Sequence, residues 1–283
     1  MLKEVYNVKV YRYADKDQVR IYRKGVVCAD NVVVDNDGVI CEKVHNESTE
    51  LNPFTNEYEH IREWSEESEE RSQRVSMNRT INRVYEMSRS NEWEYFFTMT
   101  FNGEKVDRYN YDECVKKLSK WLTNARNRYA PDMVYLVVPE RHKDGAYHFH
   151  GLFSNIGSMP LTDSGIVKNG RKIYNIATYK FGFTTVSQVE DSGKASNYVC
   201  KYITKELCQV TKGKKRYWCS RNIKRPEVAT MTIQGSLLDK LELFNGHIDY
   251  MKTLDGLYQG VTYVELDCRI DDIDYFRTEE LNG

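Results

Sequence analysis

Two histidines separated by one residue, His148 and His150, form the first motif in this sequence that could do chemistry. Residues Ala146 to Phe153 favour a β-strand, so both imidazoles should leave the same face of that strand. A turn at Lys143-Asp-Gly145 would pair this strand with the preceding one and set Glu140 opposite His148. Two imidazoles and a carboxylate suit Mg²⁺, Mn²⁺ or Zn²⁺, so the pattern predicts a metal site.

The identity of the third ligand, and the metal site itself, have alternatives at this stage. His142 is a rival third ligand, although its odd offset from His148 across a three-residue turn favours Glu140. Histidines on half-exposed strands also occur without any ligand, so the histidine pair alone does not establish a metal site.

Two tyrosines, Tyr198 and Tyr202, form the second candidate group. The segment from Lys194 to Cys208 is predicted to be helical, which puts the tyrosines one turn apart on one face. Lys201 and Lys205 repeat that spacing on the solvent side of the tyrosines. Ammonium groups in that position are expected to lower the pKa of a phenol and to stabilise phenolate or phosphate charge. Tyrosines four residues apart are also common as packing residues, so the functional interpretation needs support from other motifs.

Strands and helices of a central α+β domain must position these groups. Besides the histidine strand, buried strands are predicted at Glu94–Phe101, Met133–Glu140 and Phe181–Glu190. An amphipathic helix is predicted from Tyr111 to Tyr129, because apolar residues recur there at steps of three and four. Residues 154–179 are interpreted as a loop-rich excursion. The order of these elements predicts helices packed on a mostly antiparallel sheet.

The chain is predicted to have three parts, with the central domain at residues 76–226. Residues 1–75 are interpreted as an extension of short strands, a turn at Asp35-Asn-Asp-Gly38 and a charged helix. Residues 227–283 are interpreted as an acidic C-terminal segment, and neither end has an assigned role. The seven cysteines show no zinc-finger or CxxC spacing, which indicates reduced thiols. No apolar run approaches the ~20 residues that span a bilayer, so a cytoplasmic protein without membrane contact is expected.

The charge of the chain is concentrated in its centre, although the net charge is only -1. Residues 91–226 hold 23 Lys and Arg against 13 Asp and Glu, whereas both ends are acidic. A basic centre favours a polyanionic partner. One basic run is either a phosphate-contacting site or merely solvated. Its residues are Lys212, Lys214, Lys215 and Arg216.

Three motifs occur in a fixed order: Phe97-Thr-Met-Thr100, His148-Phe-His150 and the segment Tyr198–Lys205. This ordered set resembles the motifs of HUH endonucleases, the initiators of rolling-circle replication. The closest likeness is to the two-tyrosine initiators of small single-stranded DNA phages and bacterial mobile elements, and it covers roughly residues 76–226. The resemblance implies a five-stranded antiparallel sheet of palm-like, RRM-like topology with flanking helices and an active site on the open face.

The resemblance also implies a role for each matched residue. The expected ligands of Mg²⁺ or Mn²⁺ are His148, His150 and Glu140. The expected catalytic residues are Tyr198, Tyr202, Lys201 and Lys205. The implied activity is site-specific nicking and rejoining of single-stranded origin DNA through a 5′-phosphotyrosine intermediate, in the cytoplasm of a bacterial host. Because the sequence holds no Walker-type nucleotide motif, a host helicase and a host DNA polymerase are expected partners.

Two alternatives remain open. A conjugative relaxase or an HUH transposase uses the same kind of site for strand transfer, although the tyrosine of relaxases normally precedes the histidines. A non-catalytic DNA-binding protein would keep these histidines and tyrosines for structural reasons. A covalent adduct between protein and DNA distinguishes the enzymes from the non-catalytic protein.

Overall fold

A computed structural model of the chain describes residues 5–27, 32–34, 40–42, 49–51, 58–60, 66–255 and 260–273. The turn predicted at Asp35-Asn-Asp-Gly38 lies outside these residues. The chain divides into two units, each of which contains an antiparallel sheet. The terminal unit consists of Met1–Glu66 and Pro226–Gly283, and the central unit consists of Glu67–Arg225.

The strands and helices follow one another in this order along the chain. The first strands are β1 (Val5–Arg12), β2 (Asp17–Val27), β3 (Val32–Val34), β4 (Ile40–Glu42), β5 (Thr49–Leu51) and β6 (Tyr58–His60). Next come α1 (Glu66–Arg89), β7 (Tyr95–Phe101), α2 (Tyr111–Arg128), β8 (Val134–Arg141) and β9 (Tyr147–Ser154). These are followed by β10 (Leu161–Lys168), β11 (Arg171–Ile176), β12 (Gly182–Gln188), α3 (Ser192–Cys200), α4 (Lys205–Val210) and β13 (Trp218–Cys219). The last elements are β14 (Glu227–Met231), α5 (Leu237–Glu242), β15 (Ile248–Asp255), β16 (Gly260–Leu266) and a 3-10 turn (Ile270–Asp272).

The sheet of the central unit has the strand order β10-β11-β12-β7-β9-β8-β13, and its neighbouring strands are antiparallel. The expected class, helices with antiparallel strands, is confirmed. The expected single five-stranded sheet is wrong, because this sheet has seven strands and the terminal unit has a second sheet of five. The sequence pattern missed the extra strands for a physical reason. β10 exposes most of its side chains and β13 has only two residues, so neither shows a run of alternating apolar residues.

Side chains of β8 and β9 alternate between two apolar layers. On one face of the sheet, Val137 and Phe149 belong to the same buried cluster as Leu118 of α2. On the other face, Leu136 belongs to a buried cluster with Val199 of α3. Both faces of these central strands are therefore anchored by helices, which holds the strands in a rigid position. The candidate histidines lie on the α3 side of this framework.

The terminal unit combines strands from both ends of the chain. Its main sheet has the order β14-β1-β2-β16-β15, so β1 pairs with β14 and β2 pairs with β16. Val8, Ile21 and Leu266 are fully or almost fully buried in its core. The pairing joins segments that are distant in sequence, for example Val10 with Ala229. A reading of local patterns has no access to such pairing, which is why the two ends looked like separate extensions.

Replacing Gly151 by alanine tests how tightly β9 is held. The added Cβ would lie 2.6 Å from Cε2 of Phe153 and 2.8 Å from Cγ2 of Val137, and both of these side chains are buried. We expect Gly151→Ala to lower the free energy of unfolding by about 1–3 kcal/mol through overpacking. Urea denaturation followed by circular dichroism measures this. Gly103→Ala is the matched control, because its nearest neighbour would be 4.0 Å away, and equal stability of the two variants would contradict the packing described.

Candidate active site

The register of three adjacent strands brings the candidate metal ligands to one face of the sheet. His148 pairs with Glu140 of β8 on one side and with Thr100 of β7 on the other. His150 pairs with Thr98 of β7. The amide of His142 donates a hydrogen bond to the carbonyl of Ala146 across the turn, as the predicted hairpin requires. The expected pairing of Glu140 with His148 is therefore confirmed.

Two threonines of β7 hold the histidine rings in position. Thr98 Oγ1 lies 3.2 Å from Nδ1 of His150, and Thr100 Oγ1 lies 3.2 Å from Nδ1 of His148. A hydrogen bond at one ring nitrogen fixes the orientation of an imidazole and leaves the other nitrogen for a second partner. The sequence showed these threonines as part of a strand motif, but it gave them no chemical role. Their spacing of two residues, which matches the spacing of the histidines, was the signal that could have identified them.

Glu140 contacts His150 as well as pairing with His148. Its Oε2 lies 2.7 Å from Nε2 of His150, and the His150 side chain is almost fully buried. This hydrogen bond lowers the pKa of the Glu140 carboxyl, and the positive potential of neighbouring histidines lowers it further. Glu140 is therefore ionised at neutral pH and can act as a ligand or as an acceptor.

The ring of His148 stacks on His142 rather than on the tyrosines. The two ring centroids are 4.3 Å apart and the rings are inclined by 19°. Burial lowers the pKa of His148, and the neighbouring His142 and His150 lower it further. His148 is therefore a neutral imidazole at neutral pH, which is the form that binds metals. His142 is thus a neighbour of the site, although it lies outside the paired row.

The three expected ligands fit a divalent metal by their chemistry, since two imidazoles and an ionised carboxylate share one face. A shared ion would require their ligand atoms to converge more closely than they do here. Among the residues that the structure describes, one group of three has ligand atoms all within 4.8 Å of one another, and it lies in the terminal unit. That group consists of His247, Asp267 and Cys268.

The helix predicted from Lys194 to Cys208 is interrupted, so this part of the prediction is wrong. α3 ends at Cys200, and α4 begins at Lys205 after a turn. Thr204 has extended backbone angles, φ −98° and ψ 163°, and its side chain accepts a hydrogen bond from the amide of Leu207. Threonine favours such a capping position over a helix interior, which explains the break. Tyr198 lies in α3, and Tyr202 lies in the turn.

Tyr202 packs directly on a candidate metal ligand. Its ring stacks on the imidazole of His150, with centroids 3.7 Å apart and an interplanar angle of 7°. Tyr198 packs edge-on against Tyr202 at 5.5 Å and against Phe96 at 5.4 Å. Burial raises the pKa of Tyr202, and so do a hydrogen bond with Tyr198 and the negative potential of Glu140. The expectation that lysines lower the pKa is wrong for Tyr202, because burial dominates.

The two candidate lysines have different surroundings. The ammonium group of Lys201 lies 5.4 Å from the ring centroid of Tyr198 and faces the same groove. Lys205 instead lies 3.4 Å from a carboxylate oxygen of Glu70, in a second pocket that Met77 of α1 also lines. The structure therefore brings Lys201 to the tyrosines, whereas the helix break directs Lys205 towards α1.

An open groove with a volume of about 920 Å³ adjoins the tyrosines. Tyr198, Lys201 and Tyr202 line one side, and the β10–β11 hairpin lines the other. This hairpin occupies the segment that was interpreted as a loop-rich excursion, so the sequence did not indicate that it contributes to the site. A second missed residue is Phe183, which is 53% exposed and pairs with Thr100 in the row that contains His148.

The basic run after α4 lies apart from this groove. Lys214 forms an ion pair of 2.6 Å with Asp112 of α2, and the ammonium of Lys215 lies 5.9 Å from the ring centroid of Trp218. Arg216 donates hydrogen bonds to Thr211, Ser76 and the carbonyl of Cys208. Lys212 is exposed. Arg216 thus has internal bonding partners, and none of the four expected DNA-binding residues lines the groove beside the tyrosines.

One comparison with known proteins gives a match. Residues 94–207 match a family model of replication-associated proteins, the ORF2 family. The matched range begins just before β7 and ends within α4, so it includes every expected metal ligand and both tyrosines. It supports a role in the initiation of replication. The searches of curated proteins and of solved structures gave no match. Of the helices that the structure describes, none is long and apolar enough to cross a membrane.

Metal binding by Glu140 and the two histidines predicts a measurable role for the β7 threonines. Thr98→Val and Thr100→Val each remove a hydrogen bond that orients a histidine. We expect each change to weaken Mn²⁺ binding by about tenfold or more, as for other partners of metal-ligating histidines. Titration calorimetry of the full chain measures the affinity. Thr123→Val is the control, because the hydroxyl of Thr123 bonds only the Ser119 carbonyl within α2 among the contacts described. Wild-type affinity in both β7 variants would rule out this arrangement.

Proposed function

We propose that the central unit nicks and rejoins single-stranded DNA at a replication origin, and so starts rolling-circle replication. One observation carries the proposal: the ring of Tyr202 stacks on His150, which is itself hydrogen-bonded to Glu140. A candidate nucleophile and candidate metal ligands therefore meet at one point of the sheet. The match of residues 94–207 to replication-associated proteins supports the biological role.

In this proposal Glu140, His148 and His150 hold Mg²⁺ or Mn²⁺. When bound, such an ion supplies Lewis-acid polarisation of a non-bridging phosphate oxygen. Each ligand has the protonation state that this requires. Glu140 is ionised because its pKa is lowered, and His148 is neutral because its pKa is also lowered. Thr98 and Thr100 restrain the two imidazoles from behind.

The proposed reaction exchanges one ester bond for another. The phenol oxygen of a tyrosine forms a bond to phosphorus, while the bond from phosphorus to the 3′ oxygen breaks. The phenol proton leaves to solvent, and the 3′ oxygen takes up a proton to give a free 3′-hydroxyl. The 5′ phosphate stays on the tyrosine, so the ester that rejoins the strand is preserved. The free 3′-hydroxyl then serves a DNA polymerase of the host, with a host helicase to separate the strands.

Tyr198 and Tyr202 are proposed to alternate as nucleophiles. Tyr198 is 47% exposed in the groove and has Lys201 beside its ring, where an ammonium group can neutralise developing charge. Tyr202 is half-buried on His150 and protonated at neutral pH, since its pKa is raised. The 5.5 Å between their ring centroids lets one tyrosine act while the other still carries the first strand end.

Phenylalanine substitutions test this assignment in the full chain. We expect Tyr198→Phe and Tyr202→Phe each to retain part of the covalent adduct, because the other phenol remains. The double variant should lose it entirely. The measurement incubates a labelled single-stranded origin oligonucleotide with protein and Mn²⁺, and separates the denatured products by gel electrophoresis.

Tyr109→Phe is the matched control for these variants. Tyr109 is also an exposed tyrosine of the central unit, but its hydroxyl interacts with Arg108 outside the site, so its adduct should equal that of the wild type. A wild-type level of adduct in the double variant would overturn the assignment of the nucleophiles. Absence of adduct from the wild-type protein, with every divalent metal and the true origin, would favour a non-catalytic DNA-binding role.

A further inference from the structure

The β10–β11 hairpin, called the arm below, separates from the sheet towards its tip. β11 pairs with β12 at Tyr174 and Val186, and the amide of Ile176 donates a 2.8 Å hydrogen bond to the hydroxyl of Thr184 nearby. Both contacts lie near the base of the arm. The tip is a tight turn in which Asn169 and Gly170 have positive φ, 51° and 77°. The space between the outer half of the arm and α3 forms the groove.

Charged side chains on both walls of the groove give it an excess of positive charge. Two cations lie on the arm, and two more lie on α3 and just after its end. These cations are Lys168, Arg171, Lys194 and Lys201. The carboxylates lining the groove are those of Glu190 and Asp191. Four cations against two carboxylates favour a polyanion.

Apolar and aromatic side chains lie beside these charges. Ile166 of the arm is 49% exposed, and Tyr198 on the opposite wall is 47% exposed. Phe96 lines the floor next to both tyrosines. Cations that track phosphates, together with exposed ring faces that accept unstacked bases, are typical of single-stranded nucleic-acid sites. A duplex keeps its bases stacked inside and would leave these apolar surfaces unused.

An ion pair closes the groove across its width. Arg171 of the arm contacts the carboxylate of Glu190, which lies just before α3, and both side chains are about half exposed or more. Exposed pairs of this kind contribute little to stability, so a phosphate can displace the carboxylate at small cost. The neighbouring carboxylate, Asp191, is engaged differently, because it caps α3 and pairs with Lys194 at 3.1 Å. Glu190 is thus the carboxylate that a bound strand has to displace.

We propose that this groove binds the single-stranded DNA that leads to Tyr198 and Tyr202, and that Arg171 exchanges Glu190 for a DNA phosphate. The inference rests on the proposed function, since it assigns the surface that holds the strand next to the nucleophiles. It gives the arm a role that neither the motifs nor the family match provides. It also makes Glu190 an internal competitor of the DNA.

Three variants of the full chain test the exchange by fluorescence anisotropy with a labelled oligothymidylate, in EDTA so that no strand is cut. Arg171→Ala should weaken binding severalfold and reduce the slope of log affinity against log salt by about 0.7, as expected for one lost phosphate contact. Glu190→Gln should strengthen binding, because Arg171 is released and a repelling charge is removed. A gain of affinity cannot come from misfolding.

Lys172→Ala is the matched control. Lys172 neighbours Arg171 on the same strand, but it pairs with Asp163 of the arm at 2.9 Å and does not line the groove. Its loss removes the same charge from the arm, so we expect little change in affinity. Equal weakening by Arg171→Ala and Lys172→Ala would overturn the proposal in favour of general electrostatics. Unchanged or weaker binding by Glu190→Gln would overturn the exchange.

Two further results separate this inference from the proposed function. A labelled duplex of the same length should bind without the dependence on Arg171 and Glu190, and the same dependence for duplex would contradict a single-strand site. The covalent adduct is measured separately with Mn²⁺. If the wild type forms no adduct while the three variants behave as expected, the groove binds DNA and the nicking activity is wrong. If adduct forms but the variants bind alike, the groove assignment alone is wrong.

Discussion

The antiparallel register of β7, β9 and β8 determines where the chemical groups of the site lie. It places Thr100, His148 and Glu140 in one row across the sheet, and it places Thr98 opposite His150 in the next. A slip of one residue would turn both histidines towards the layer that packs on α2. Gly145, at φ 90°, supplies the turn geometry that closes the β8–β9 hairpin and so maintains this register.

The break between α3 and α4 gives the two tyrosines different surroundings. In a continuous helix both phenols would share one face, with lysines repeating the same offset. The cap at Thr204 ends that repetition, so Tyr202 turns onto His150 while Tyr198 stays in the groove with Lys201. One phenol is therefore held against a candidate ligand, and the other is open to a strand. This asymmetry is the physical basis for two nucleophiles that act in turn.

Local patterns in the sequence predicted those parts of the site that depend on neighbouring residues. The turn at Lys143-Asp-Gly145 was sufficient to pair Glu140 with His148, and the apolar spacing was sufficient for α2. Features that depend on distant contacts were not accessible. β10 is mostly exposed and carries little hydrophobic signal, so its place in the groove was missed. The pKa of Tyr202 also follows from burial under tertiary contacts, which lysine spacing cannot indicate.

Pulsed electron paramagnetic resonance of Mn²⁺ bound to the full chain tests the central claim, that this register creates one metal site beside the tyrosines. The account predicts nitrogen couplings from two imidazoles. One coupling should disappear in His148→Gln and the other in His150→Gln, while His247→Gln keeps both. A Mn²⁺ spectrum without histidine nitrogen, or one that is unchanged in His148→Gln and His150→Gln, would contradict the account.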